Sequence, residues 1–171
     1  MWSTIEVDGH PCEIYEPSQP SEHGYALIYL HGVSGEWLND KAEFTEQFEK
    51  HGLRVIGPRT RRSWWSNKIC SEFDLERSAE TYVRDNILTY VGNRWGVSTP
   101  RIGLLGTSMG GQGALRFSYK YPGVFPIVAA ISPAIDYHLR MKQGIDETLP
   151  LMYDDPEAVS YTHLRAHETL R

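Results

Sequence analysis

The stretch Arg101–Pro122, RIGLLGTSMGGQGALRFSYKYP, decides the fold. An apolar run, Arg101–Leu105, leads into the pentapeptide Gly106-Thr107-Ser108-Met109-Gly110. A helix-like pattern over Gly110–Tyr121 follows and stops at Pro122. The G-x-S-x-G spacing alone is weak evidence. Set between a strand and a helix, it holds a serine on a sharp turn with its hydroxyl pushed out to where a base and a substrate can reach it. The flanking glycines are small because that turn brings the two backbones close together. Ser108 is therefore the candidate nucleophile.

On either side, strand and helix patterns alternate. Ser3–Val7 and Pro11–Tyr15 read as a hairpin around Gly9. Tyr25–Leu30 (YALIYL) is nearly continuous in apolar character, as expected of a strand buried on both faces of a mostly parallel sheet. Lys41–Lys50 carries Phe44 and Phe48 at i, i+4 and reads as a helix ending at Gly52. Leu53–Ile56 is a second parallel-type strand, Glu76–Trp95 a helix closed by Gly96, and Ile127–Ile131 (IVAAI) another buried strand. A short helix is expected near 154–158. Such alternation implies an α/β fold with helices on both faces of the sheet. Ligands in such folds bind beyond the carboxyl ends of the strands, so His31, Pro58, Ser108 and Pro133, each just past a strand end, are expected to share one rim.

Composition removes several classes of function. With 171 residues, 40% hydrophobic and 23% charged, the chain reads as one globular domain. A formal net charge of −5 gives no electrostatic case for nucleic acid or an anionic membrane. No apolar run approaches the roughly 18 residues that a spanning helix needs, and MWSTIEVDGH has neither the basic nor the apolar part of a secretion signal. Cys12 and Cys70 lie far apart with no metal-type spacing, so free thiols in a reducing, cytoplasmic setting are expected.

A serine hydroxyl needs a base, usually a histidine oriented by an acid, and donors for the oxyanion formed on an attacked carbonyl. The Met109 amide supplies the first donor, and the loop His31-Gly32-Val33-Ser34-Gly35 the second, through Val33 or its neighbour. His31 precedes the nucleophile and sits in that loop, so a structural role at the substrate pocket suits it better than that of base. Asp136, after IVAAI, is a candidate acid. His138 is a local candidate for the base, whereas His10, His23 and His51 read as solvent-facing. Trp37 follows the oxyanion loop and could shape the pocket. Asn39 and Asp40 are equally explained as a helix cap. Trp64 and Trp65 either wall a cleft or pack on the sheet and a loop. Arg59, Arg61 and Arg62 either take an anionic substrate group or form a solvated charged loop.

YLHGVSG, GTSMGGQGAL and AAISPAID together resemble the esterase D-type esterases of the α/β-hydrolase superfamily, over about Ala26 to Pro133. That group includes S-formylglutathione hydrolase-like enzymes and mycolyltransferase-like acyltransferases. The resemblance implies hydrolysis of short acyl esters or thioesters through an acyl-serine, or acyl transfer if an alcohol replaces water. The implied partner is a small-molecule ester or thioester, with no metal and no organic cofactor. The resemblance matches Ser108 to the nucleophile and Met109 and Val33 to the oxyanion donors. The family places its acid and histidine on two further strands after the one matching Ile127–Ile131, and only some forty residues follow here. Val159–Thr169 (VSYTHLRAHET) is also similar, residue for residue, to the translation of a transposon-end sequencing adapter. The expectation is thus an incomplete hydrolase domain over 1–158 and a non-native tail over 159–171 that contains His163 and His167. A catalytically inactive fragment lacking the triad histidine is the alternative reading.

Overall fold

The computed structural model describes residues 1–145 and 147–153. The short helix expected near 154–158, the tail over 159–171 and both of its histidines lie outside them. The sheet has six strands: β1 (Trp2–Val7), β2 (His10–Tyr15), β3 (Ala26–Leu30), β4 (Arg54–Pro58), β5 (Ile102–Thr107) and β6 (Ile127–Ile131). Their order across the sheet is β1-β2-β4-β3-β5-β6. β1–β2 and β2–β4 pair antiparallel, and the other three pairs are parallel. The hairpin turns at Asp8 and Gly9, both at positive φ, the conformation a tight two-residue turn requires.

Side-chain alternation along the central strands divides the core in two. Ile28, Leu30, Ile56 and Leu104 face one way, onto Trp65, Val83, Ile87 and Phe117. Tyr29, Val55 and Leu105 face the other, onto Leu38 and Phe48. Helix α1 (Ala42–Lys50) covers the second face through Phe48, with Phe44 one turn earlier. The first face is covered by α4 (Met109–Lys120) and by a helical run made of α2 (Ala79–Thr81), a π-helical turn Tyr82–Ile87 and α3 (Leu88–Trp95). Two short helices, α5 (Tyr137–Lys142) and α6 (Leu149–Met152), follow β6.

The predicted elements differ from these at identifiable points. The helix expected from Glu76 starts at Ala79, because Asp74 Oδ1 first accepts the amides of Glu76 and Arg77 and Ser78 then caps the helix through the Thr81 amide. Asn39 and Asp40 do not cap α1; Lys41 occupies that position with no side-chain bond. β6 is not fully buried. Ile127 is 53% and Ile131 42% exposed, since β6 pairs only with β5 among the described strands and α4 packs on its other face.

Among the described residues, no helix is long and apolar enough to cross a membrane. Cys12 and Cys70 are both buried free thiols, and burial pushes Cys12 up to about 11, which leaves it an inert thiol.

Candidate active site

Ser108 is the single residue between the end of β5 at Thr107 and the start of α4 at Met109. It sits at φ 53°, ψ −112°, a conformation that costs a non-glycine residue about 1–3 kcal/mol and persists only when its surroundings impose it. Two hydrogen bonds tie the turn to the end of β6. The Ser108 amide donates to the Ile131 carbonyl at 2.9 Å, and the Ser108 carbonyl accepts from the Ala134 amide at 3.0 Å. The helix is then free to start against the sheet, provided that no side chain intervenes. A Cβ on Gly110 would collide with the Leu30 carbonyl, and one on Gly113 would stand 2.8 Å from Trp65 Cβ. The glycines of G-G-Q-G are there for close approach.

The loop after β3 lies against this turn. A Cβ on Gly32 would stand 3.6 Å from Ser108 Cβ. The loop folds as a tight turn, with the Gly35 amide donating to the Gly32 carbonyl at 3.0 Å. Val33 is 44% exposed at its crest. Met109 occupies the first helical position, where an amide has no intrahelical acceptor. Among the described residues, no hydrogen bond engages the Val33 amide or the Ser108 hydroxyl.

His31 is 2% exposed. Its Nε2 accepts from the Thr60 amide at 3.1 Å, which places the ring proton on Nδ1, facing the Gly32 carbonyl at 2.7 Å. Trp65 Nε1 donates to the His31 carbonyl at 3.1 Å and its ring packs edge-on to the imidazole. Burial pulls the imidazole down to about 4, so it stays neutral and serves as a clamp between the 31–35 and 60–65 loops.

Other candidates separate cleanly. Trp64 and Trp65 are 1% and 0% exposed, so neither walls a cleft. Each is pinned by an indole bond, and their carbonyls accept from Gln112 and Arg116 on α4. Asp136 caps α5, its Oδ1 accepting from the Leu139 amide at 3.2 Å, and is exposed. One oxygen of the carboxylate thus serves its own helix. The side chain of His138 lies outside the described set. Trp37 is half-buried beneath the Arg59 guanidinium, whose Cζ stands 3.7 Å from the ring centroid. Both line a cleft of about 770 Å³ that opens beside the 31–35 loop.

Two groups near the site, Thr60 and Glu13, were not singled out by sequence, and a third, His10, was placed wrongly. Thr60 owes its role to a contact 29 residues away in the chain, which no local pattern encodes. Glu13 is 2% exposed on β2 and accepts the Leu38 and Asn39 amides at 2.8 and 3.2 Å; burial raises its carboxyl. Its register partner Gly57 leaves room for it, and a charged residue inside the otherwise apolar Pro11–Tyr15 run was the available signal. His10 is not solvent-facing. Its Nε2 lies 2.9 Å from Asp74 Oδ2 and its ring stacks on Phe73. Among the described residues, no cluster of three or more His, Cys, Asp or Glu side chains converges as a metal site needs.

A mostly parallel sheet with helices on both faces, and a serine on the strand-to-helix turn at its carboxyl rim, define an α/β-hydrolase fold. The chain belongs to the family described as Putative esterase, which it matches over residues 10–163. It is 28% identical over 142 residues to an S-formylglutathione hydrolase of Mus musculus, covering 70% of this chain and 50% of that protein. Of solved structures, an S-formylglutathione hydrolase from Agrobacterium tumefaciens superposes with a TM-score of 0.70 at 18% identity, over 95% of this chain and 66% of the other. FphF, a fluorophosphonate-binding serine hydrolase of Staphylococcus aureus, gives 0.65 at 17% identity, over 93% and 71%. The chain thus spans half the length of its mouse relative.

Proposed function

We propose that the protein is a serine carboxylic-ester hydrolase that acts on short-chain esters or thioesters through an acyl-serine intermediate. The observation that carries this reading is the placement of Ser108, held at positive φ between β5 and α4 and facing Gly32 of the 31–35 loop. The hydroxyl attacks the acyl carbonyl, its proton passing to a histidine that is not among the described side chains. The Met109 and Val33 amides receive the oxyanion. Collapse expels the alcohol or thiol, reprotonated by that histidine. Water then attacks the acyl-serine and frees the acid. Family membership supports the hydrolase class, and the mouse relative's thioester substrate makes a thioester a reasonable member of the substrate set.

A second reading is an inert hydrolase fold. It is favoured by one observation: none of the described histidines bonds Ser108, since His31 is committed to Thr60 and Gly32 and His10 to Asp74. A fluorophosphonate probe separates the two readings. The hydrolase reading expects an adduct on the peptide carrying Ser108 that disappears in Ser108→Ala. The inert reading expects no adduct on a folded chain.

A further inference from the structure

The cleft beside the 31–35 loop has one wall formed by Val33, Ser34 and Gly35 and another by Arg59, Arg61 and Arg62. In a chain whose net charge is −5, this concentration of positive charge is local. The three arginines are not equivalent. Arg62 is committed to Glu72, with Nε donating to Oε2 at 3.0 Å and a second contact from its other nitrogen, and it reaches Glu147 at 3.2 Å. Arg59 and Arg61 make no ion pair among the described residues. Glu13 acts on Arg59 through its field, its two oxygens accepting the Leu38 and Asn39 amides. Arg59 is also held in place. Its guanidinium lies flat on Trp37 and close to Gly35, where a Cβ would stand 2.9 Å from Nη1. Arg61 follows at φ 53°, with Thr60 and Ser63 buried on either side of it. A solvated charged loop would leave both guanidiniums loose. Here one is stacked and both face a cavity, while burial pulls Arg59 below the ordinary guanidinium range, opposed by the field of Glu13 and reinforced by the Arg61 charge.

We propose that Arg59 and Arg61 form a carboxylate-binding subsite beside the 31–35 loop, so that the ester or thioester taken at Ser108 carries an anionic group on its acyl or its leaving portion. The inference rests on Ser108 being the acyl-accepting nucleophile. One tight turn separates the subsite from the nucleophile. Gly32 abuts Ser108, and Gly35, at the other end of the turn, lines the cleft with Arg59 Nη1 beside it. Planar forked donors match a carboxylate, and Trp37 supplies an apolar floor for the linking chain.

The test is calorimetric titration of the full chain with glutarate, which needs no turnover. Saturable binding is expected, weakened by added salt and absent with the neutral diamide of the same acid. Arg61→Gln, at an exposed position, should weaken binding by about tenfold, the loss of one charge-assisted hydrogen bond, while Arg61→Lys, which keeps the charge and loses the fork, should recover part of it. Arg59→Gln is the second variant, read only where its thermal melt matches wild type. Glutarate binding that is absent, or equal in wild type and Arg61→Gln, overturns the subsite. Two esters then locate the charge. Mono-4-nitrophenyl glutarate carries it on the acyl portion and 4-acetoxybenzoate on the leaving portion, each compared with its uncharged counterpart. A preference for either charged ester that Arg61→Gln abolishes supports the subsite. Hydrolysis with no preference for either overturns it while leaving the Ser108 reading intact. Glutarate binding without any Ser108-dependent reaction does the reverse.

Discussion

The Thr60 amide donates to His31 Nε2 at 3.1 Å, and this one bond decides what the first histidine past a strand end can do. A ring nitrogen occupied by a backbone donor has no lone pair to offer a serine. His31 instead joins the two loops that shape the site, and its burial forces it to remain neutral.

That neutrality has a consequence for stability. The folded-state value is lowered from 6.5 to about 4, so between these two pH values the unfolded chain binds a proton that the folded chain refuses. Stability therefore falls as pH drops through this window, by up to about 3 kcal/mol for a shift of this size. Urea midpoints at pH 7 and 4.5 should show a steeper loss for wild type than for His31→Gln, which keeps an acceptor for Thr60 but does not titrate. Parallel losses in the two proteins would mean that His31 is accessible to protons in the fold.

Gly110 makes a sharper steric claim. Any Cβ there meets the Leu30 carbonyl, a backbone atom at the root of the 31–35 loop. Gly110→Ala should cost at least the roughly 1–3 kcal/mol of an overpacked core and displace the loop. Ala at Gly123, where a Cβ meets nothing within 4 Å, should be nearly neutral by the same denaturation assay.

Glu80 organises the loop that carries the tryptophans. It is 3% exposed and accepts from Arg116 Nη1, Lys120 Nζ and the Tyr121 hydroxyl, each at 2.6 Å. Its amide donates to the Ser66 carbonyl, and Arg116 also holds the Trp65 carbonyl. Burial raises its carboxyl, but Arg116, Lys120 and Tyr121 outweigh that and leave it below the ordinary value. Its contribution is thus present above the unfolded carboxylate range and lost as pH falls through the folded value. Glu80→Gln should cost toward the lower end of the roughly 3–5 kcal/mol seen on breaking buried pairs, since Lys120 is half-exposed. Equilibrium urea unfolding at pH 7 checks this.

Strain at Ser108 gives a fourth expectation. At φ 53° glycine is comfortable and alanine is not. Relief of about 1–3 kcal/mol of strain, against roughly 0.5–1 kcal/mol of extra chain entropy for glycine, should leave Ser108→Gly about 1 kcal/mol more stable than Ser108→Ala. Equal stabilities would mean that the turn relaxes once the serine is gone.

Much of this was legible in the residues. Apolar runs and glycine stops located all six strands to within two or three residues, because period and turn chemistry are local properties. The strand–Ser108–helix order fixed the turn for the same reason. What escaped was long-range. Trp64 and Trp65 looked equally suited to a cleft wall or the core until Gln112 and Arg116 were seen to hold their carbonyls. That Asp136 caps α5 was not legible either, because no pattern after β6 announced that helix. Whether an arginine is paired also depends on what folds beside it, so Arg62 could not be told from Arg61 before Glu72 was placed.

The most direct measurement is turnover of 4-nitrophenyl acetate by wild type and by Ser108→Ala, both shown to be folded by circular dichroism. If Ser108 is the nucleophile and a histidine beyond the described side chains serves it, wild type should exceed the alanine variant by about a thousandfold or more, the scale of losing the serine of an intact triad. Equal rates in the two folded proteins would contradict the assignment.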